Sequence, residues 1–314
     1  MVRFLIRRIA LLALTLLITS MIVFALTQLL PGDVARLILG REAPQEALDN
    51  LRAQLGLNDP VPMQYWNWLT GFVSGDWGRS FTSGSPPIRP LVMERLGNSL
   101  RLAALALIFS VPLSILLGAA AALREQSPLD SVISLATLAV VGLPEFVTGL
   151  ALINIFALGL GWFPASASAS AESLGDLLRQ LTLPAITASF VLVAYIVRLT
   201  RAGVIEELKK PYVRTATLKG LSRGEVLTRH VLGNALLPTI TVIAISFGWL
   251  IGGLVVIENV FSYPGLGRLM TTAIERKDIP LMQAVVMVTI FFYAVANLIA
   301  DLLYALLNPR IRLE

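Results

Sequence analysis

Residues 102–123 read LAALALIFSVPLSILLGAAAAL, a run without one charged side chain. A helix rises about 1.5 Å per residue, so roughly 20 apolar residues cross the ~30 Å hydrocarbon core of a bilayer. No water reaches backbone amides in that core, and a helix answers this by pairing each N–H with a carbonyl of its own segment. The run is therefore read as a membrane-spanning helix. Five further stretches have similar length and polarity, at 9–30, 132–158, 181–197, 236–257 and 281–303, of which 181–197 is the shortest. The whole chain agrees: of its 314 residues 56% are hydrophobic and 14% charged, and the mean hydropathy is +0.76. A water-exposed fold does not sustain that composition. The expected fold class is all-α, a polytopic membrane protein with about six transmembrane helices.

Charge placement orients the spans. The first run follows Arg7 and Arg8. Its apolar core outlasts the ~7 to 15 residues of a secretory signal, and no small-residue cleavage site follows, so it reads as an uncleaved anchor. With the amino terminus inside, the inner segments hold Arg3, Arg7, Arg8, Arg124, Arg198, Arg201, Lys209, Lys210, Arg214, Lys219, Arg223, Arg229, Arg310 and Arg312, which is 14 of the 25 basic residues. The two short outer loops hold Arg179, Arg268, Arg276 and Lys277. An excess of Lys and Arg marks the cytoplasmic side, and both termini are expected there. The net charge of +5 and the pI near 9.8 then report topology, not an affinity for nucleic acid. The chain has no cysteine and a single histidine, His230, which reads as packed or solvated. Disulfides, iron–sulfur clusters and thiolate metal sites are excluded, and no imidazole cluster remains for a catalytic metal.

Three regions follow: a stub and first span at 1–30, an extracytoplasmic cap at 31–101, and a core at 102–314 that contains a basic inner loop at 198–235. The cap balances seven basic residues against seven acidic ones. It carries Tyr65, Trp66, Trp68, Phe72, Trp77 and Phe81, rings that suit a small core or the membrane interface better than a docked partner. The inner loop is interrupted by Pro211 and Gly220 and should form two short helices with a turn between them. Thr215, Ala216, Lys219 and Gly220 lie at helical spacings before that turn, where glycine accepts the positive φ that ends a helix. On charge alone the loop reads equally as a docking element or as a solvated, lipid-facing basic loop.

The run at 212–238, YVRTATLKGLSRGEVLTRHVLGNALLP, resembles the EAA loop of binding-protein-dependent ABC permeases, in the variant of the dipeptide, oligopeptide and nickel transporter family. Arg214, Thr215 and Ala216 hold the Glu-Ala-Ala places and Gly220 the glycine, so a salt bridge from that glutamate is not carried over. Further likenesses lie along nearly the whole chain: PGD at 31–33, LGLNDPVPMQYWNWL at 55–69, GDWGRSF at 75–81, PEF at 144–146, ENVFSYPGLGRL at 258–269, RKDIP at 276–280 and NLIADLLYALLNPRIR at 297–312. Where Trp77 stands the family more often has leucine. The resemblance implies a type I importer permease of the bacterial inner membrane, paired with a second homologous permease, two ATPases and an external solute-binding protein. It implies a small solute such as di- or oligopeptides as cargo, no catalytic residue and no cofactor on this chain, and ATP with Mg²⁺ held by the ATPases. The missing G-x-x-x-x-G-K-[ST] phosphate loop agrees. Arg214, Thr215, Ala216, Lys219, Gly220 and Leu221 are then expected to couple the chain to an ATPase.

A carboxylate in the bilayer core costs about 2.5–3.5 kcal/mol on insertion scales and calls for a partner or a wet cavity. Glu145 and Phe146 follow Pro144 near the middle of the third apolar run, where proline removes one helical hydrogen bond and favours a kink. They are candidate pathway residues, with kink stabilisation as the alternative. Glu258 is expected to pair with Arg268 or Arg276, or else to line the pathway. Asp301, one turn after Asn297, is expected to bond the partner permease or to reach interfacial water. A rival reading is a stand-alone transporter or channel driven by an ion gradient through Glu145 and Asp301, although the first and last three spans show no internal repeat.

Overall fold

A computed structural model describes residues 2–29, 34–40, 42–54, 56–81, 85–171 and 173–307. Helix α1 (Val2–Gln28) leads into three short helices, α2 (Val34–Leu39), α3 (Gln45–Gln54) and α4 (Val61–Ser74), followed by α5 (Ile88–Leu123). Next come α6 (Pro128–Val141), α7 (Glu145–Gly159, ending in a π-helical turn) and α8 (Leu174–Leu208). An elbow of α9 (Pro211–Leu218) and α10 (Arg223–Ala235) precedes α11 (Leu237–Gly253) and α12 (Val255–Val260). Helices α13 (Leu266–Glu275) and α14 (Ile279–Leu307) complete the chain. The PGD at 31–33 and the basic residues Arg310 and Arg312 lie outside the described residues.

Helices α1, α5, α8 and α14 are each long and apolar enough to cross a membrane. Two bent pairs, α6 with α7 at 106° and α10 with α11 at 52°, bring the total among the described residues to six if each pair counts as one span. The third apolar run is thus broken into two helices, not merely kinked. Pro144 takes an extended ψ of 140° just before α7, and Gly142 ends α6. The fourth span, the shortest apolar run, is a 35-residue helix. Hydropathy cuts it short because Asp176 and Arg179 at one end, and Arg198 and Arg201 at the other, are charged; Ser173 caps its start by accepting the Asp176 N–H. Helix α5 likewise begins at Ile88, well before the apolar run at 102, so the last part of the 31–101 segment is continuous with the second span.

The bundle closes on the pair α5 and α8. Lipid tails supply no hydrophobic drive between spans, so close contact of small side chains and polar bridges must do so. Ala103, Ala106, Ser110, Ser114 and Gly118 are buried along α5. A Cβ at Gly118 would lie 2.7 Å from Thr200 Cβ and 2.8 Å from the Val197 carbonyl oxygen. Ser189 Oγ on α8 lies 3.0 Å from the Ala106 carbonyl oxygen of α5, a bridge between the two helices.

At the end of the bundle away from the elbow, Ile88, Val92 and Leu96 of α5 pack with Leu266, Leu281 and Val285, flanked by Phe72 and Trp77. Trp77 stacks on Phe72 at 4.9 Å and donates its indole N–H to the Phe72 carbonyl at 3.0 Å, so the departure from leucine serves packing. The buried Asp278 accepts the Ser80 hydroxyl at 2.5 Å and the Phe81 N–H at 2.9 Å, and caps α14 through the Leu281 N–H at 3.2 Å. The motifs GDWGRSF and RKDIP are therefore one structural unit.

Candidate functional site

The elbow is built by local chemistry. Helix α8 stops at Leu208; Lys210 is extended, and Pro211 at the first position of α9 gives up an N–H that no helix would have used. Helix α9 ends in a Schellman turn: Gly220, at φ +83°, donates its N–H to Thr217 O at 3.0 Å, and Leu221 donates to Ala216 O at 3.4 Å. Ser222 and Glu225 then form a reciprocal capping box that starts α10, the Ser222 hydroxyl accepting the Glu225 N–H at 3.3 Å and the Glu225 carboxylate accepting the Ser222 N–H at 3.2 Å. Tyr212 Oη donates to the Glu207 carboxylate and accepts from Asn234 Nδ2 at 3.3 Å, which ties the start of α9 to both neighbouring helices. Partial burial, and then the neighbouring Glu207 carboxylate, raise the Tyr212 phenol above its ordinary 10.0.

The underside of the elbow is an apolar seat. Val213, Ala216, Val226, Val231 and Ala235 are buried with Ala122 of α5 and Val204 of α8. Gly203 makes the join close: a Cβ there would lie 2.5 Å from the Ala235 carbonyl oxygen. The opposite face presents Arg214, Thr215, Lys219 and Gly220 to the outside. Of the other expected coupling residues, Ala216 is buried in the seat and Leu221 packs partly buried against it. Leu218, which was not singled out, is 79% exposed. The helical period carried the signal, because Leu218 follows Arg214 by four residues while Val213 and Ala216 mark the buried side.

The intramembrane carboxylates separate. Glu145 opens α7 directly after the break and is half-buried; its backbone carbonyl accepts the Thr148 hydroxyl at 2.8 Å, while its carboxylate has no hydrogen-bond or ion-pair partner among the described residues, and Phe146 beside it is exposed. Glu258 is fully buried and makes no ion pair with Arg268 or Arg276 among the described residues, which corrects the expectation. It accepts the Ser99 hydroxyl at 2.5 Å and the backbone N–H of Arg268 at 2.9 Å, so it caps the start of α13, where a helix favours negative charge. The Arg268 guanidinium bonds the Ser262 carbonyl instead. Gly265 is needed beside it, since a Cβ there would collide with the Glu258 carboxylate. Asp301 pairs within its own chain, with Arg8 Nη1 of α1 at 2.7 Å. Among the described residues no group of three or more His, Cys, Asp or Glu side chains is placed to hold a metal ion.

A family model described as "Binding-protein-dependent transport system inner membrane component" matches residues 110–313, and the model for the N-terminal part of such components matches residues 1–98. The chain belongs to this family of permeases. The permease is 39% identical over 293 residues to the "Probable peptide ABC transporter permease protein y4tP" of Sinorhizobium fredii, covering 92% of this chain and 93% of that one. It is 36% identical over 314 residues to the "Glutathione transport system permease protein GsiC" of Salmonella choleraesuis, covering 99% of each. The protein of the same name from Escherichia coli strain K12 is 35% identical over 312 residues, again covering 99% of each. A solved structure, "Crystal structure of an amino acid ABC transporter with histidines", matches at 20% identity with a TM-score of 0.49, covering 71% of this chain and 94% of that one. The permease is thus a multi-pass component of a bacterial inner membrane transport system and not itself an enzyme.

One further ion pair ties the third apolar run to the helix that leads into the elbow. Arg201 of α8 grips Asp130 of α6 through two parallel bonds, Nε to Oδ1 at 2.6 Å and Nη2 to Oδ2 at 2.7 Å. Asp130 is almost wholly buried and also accepts the Gln126 N–H at 3.0 Å. The bond joins the start of the broken third span to α8, one helical run before the elbow. Sequence reading missed it because the partners are 71 positions apart; the only local sign was Ser127 three residues before Asp130, a helix-capping spacing.

Proposed function

We propose that the permease forms half of the translocation pathway of a peptide-class ABC importer, with the elbow seated in a cleft of a cytoplasmic ATPase. The observation that carries this is the elbow's two-sided build: an apolar underside locked to α5 and α8, and an outer face of Arg214, Thr215, Leu218, Lys219 and Gly220. A rigid seat converts a push on that face into movement of α8 and, through Arg201 and Asp130, of the broken third span. The elbow and both termini lie on the cytoplasmic side, in keeping with the basic residues there. A second, homologous permease completes the pore, an external binding protein delivers cargo, and ATP with Mg²⁺ binds only to the ATPases. The names of the relatives, a probable peptide permease and glutathione permeases, support short peptides as the cargo class. The exposed Phe146 and the unpaired Glu145 at the break support a place for this pair on the pathway. The ion-gradient alternative lacks support, since Asp301 is engaged by Arg8.

The test is a pair of elbow variants in the assembled transporter. Gly220→Pro cannot adopt the required φ of +83°, because proline is held near −65°. Leu218→Asp changes only the exposed face. Both chains should reach the membrane in normal amount, while uptake falls and ATP hydrolysis loses its dependence on cargo. Normal uptake by both removes the coupling role.

A further inference from the structure

Helix α4 (Val61–Ser74) belongs to the segment between the first two spans, yet it carries no charge: from Pro60 to Gly75 every residue is neutral, with Asp59 and Asp76 as the flanking charges. One face packs on α1. Tyr65 and Trp68 lie 5.4 and 5.7 Å from the Phe24 ring, Trp68 continues to Phe72 at 5.9 Å, and the Tyr65 hydroxyl shares a 2.8 Å hydrogen bond with Ser20. The opposite face, at positions 63, 66, 70 and 73, is exposed and mainly apolar, with Trp66 at 61% and Val73 at 79%. An uncharged helix that is apolar on both faces is unsuited to water.

Its depth identifies the cover. Gln64 meets Gln28, the last residue of α1, at 3.0 Å, whereas Phe24 and Ser20 lie one and two turns back along the same span. At about 1.5 Å per residue those contacts reach roughly 6 and 12 Å below the end of α1. Beside them α1 exposes Met21, Ile22 and Leu26, the flank that a spanning helix turns to lipid. Helix α4 has 14 residues, about 21 Å, too short to cross the ~30 Å core and long enough to lie within one leaflet. We propose that α4 is a membrane-interface helix whose Met63, Trp66 and Val73 face rests on acyl chains and the headgroup boundary, on the side away from the elbow. The segment between the first two spans is then partly a lipid-embedded collar. Tryptophan is the side chain such a depth favours, with an apolar ring and one N–H for the interface.

The chain has no cysteine, so single cysteines can carry spin labels without prior removal of native ones. Met63→Cys, Trp66→Cys and Val73→Cys, labelled before assembly with unlabelled partners in liposomes, are compared with Ile18→Cys on α1 and Glu46→Cys on α3. Collision with dissolved oxygen reports lipid, and collision with chromium oxalate reports water. The ratio of oxygen to chromium oxalate collisions at 63, 66 and 73 should match position 18 and exceed position 46 severalfold. A ratio equal to that at 46 places the face in water and overturns the proposal. Protection from both reagents means that protein covers it, which overturns the proposal equally.

Discussion

Gly203→Ala tests whether the elbow's seat is rigid. The added Cβ would lie 2.5 Å from the Ala235 carbonyl oxygen and 3.4 Å from its carbonyl carbon. Both are backbone atoms, so no side chain can swing aside, and α10 must move from α8 by roughly 1 Å to restore van der Waals distance. Overpacking of this kind costs about 1–3 kcal/mol. Alanine recovers up to about 1 kcal/mol of helix propensity relative to glycine inside α8. The net penalty is about 0–3 kcal/mol for alanine and larger for valine, whose extra methyls meet the same wall. A loss of 1–2 kcal/mol changes the ratio of seated to displaced elbow by a factor of about 5–30. Uptake and ATP hydrolysis should be measured together in proteoliposomes, with the melting temperature of the purified complex as the control for folding. Molecules of cargo moved per ATP should fall from wild type to Gly203→Ala to Gly203→Val, with the melting temperature changing less in proportion. Wild-type yield per ATP in Gly203→Val would refute the idea that a fixed α8–α10 contact transmits force.

Two further outcomes follow from the ionised residues. Glu145→Gln removes a charge from the broken span, so the melting temperature should hold or rise while uptake drops severalfold with assembly intact; unchanged uptake in that variant ends its pathway role. Asp130→Asn and Arg201→Gln each leave a partner unmatched and should lower the melting temperature of the complex. The double change Asp130→Leu with Arg201→Met should recover much of that loss, and single variants that melt like wild type would show the pair to be dispensable.

The spans were legible because bilayer crossing imposes a length and a polarity on a continuous stretch of sequence. The elbow was legible for a related reason: Pro211 and Gly220 act within a turn of where they stand. Angles and distant partners left weaker traces. Pro144 announced a disturbance, but hydropathy is blind to direction and could not foretell a 106° break. Glu258 and Asp301 stood out as carboxylates near apolar runs, while their partners, Ser99 and Arg8, lie far off in sequence and look ordinary there. Ala216 was expected among the coupling residues from its place in a motif; its burial follows from the helical spacing that puts it on the same face as Val213.

The bond between Ser80 and Asp278 bears on how the molecule is made. These residues are 198 positions apart, and the acid belongs to the turn that introduces the final helix. A ribosome will have threaded most of the permease into the bilayer before the Phe81 amide can meet its acceptor. Until then the region around Phe81 waits for the closing segment to emerge. A chain terminated before Asp278 would therefore lack this closing contact, at the end of the bundle away from the elbow.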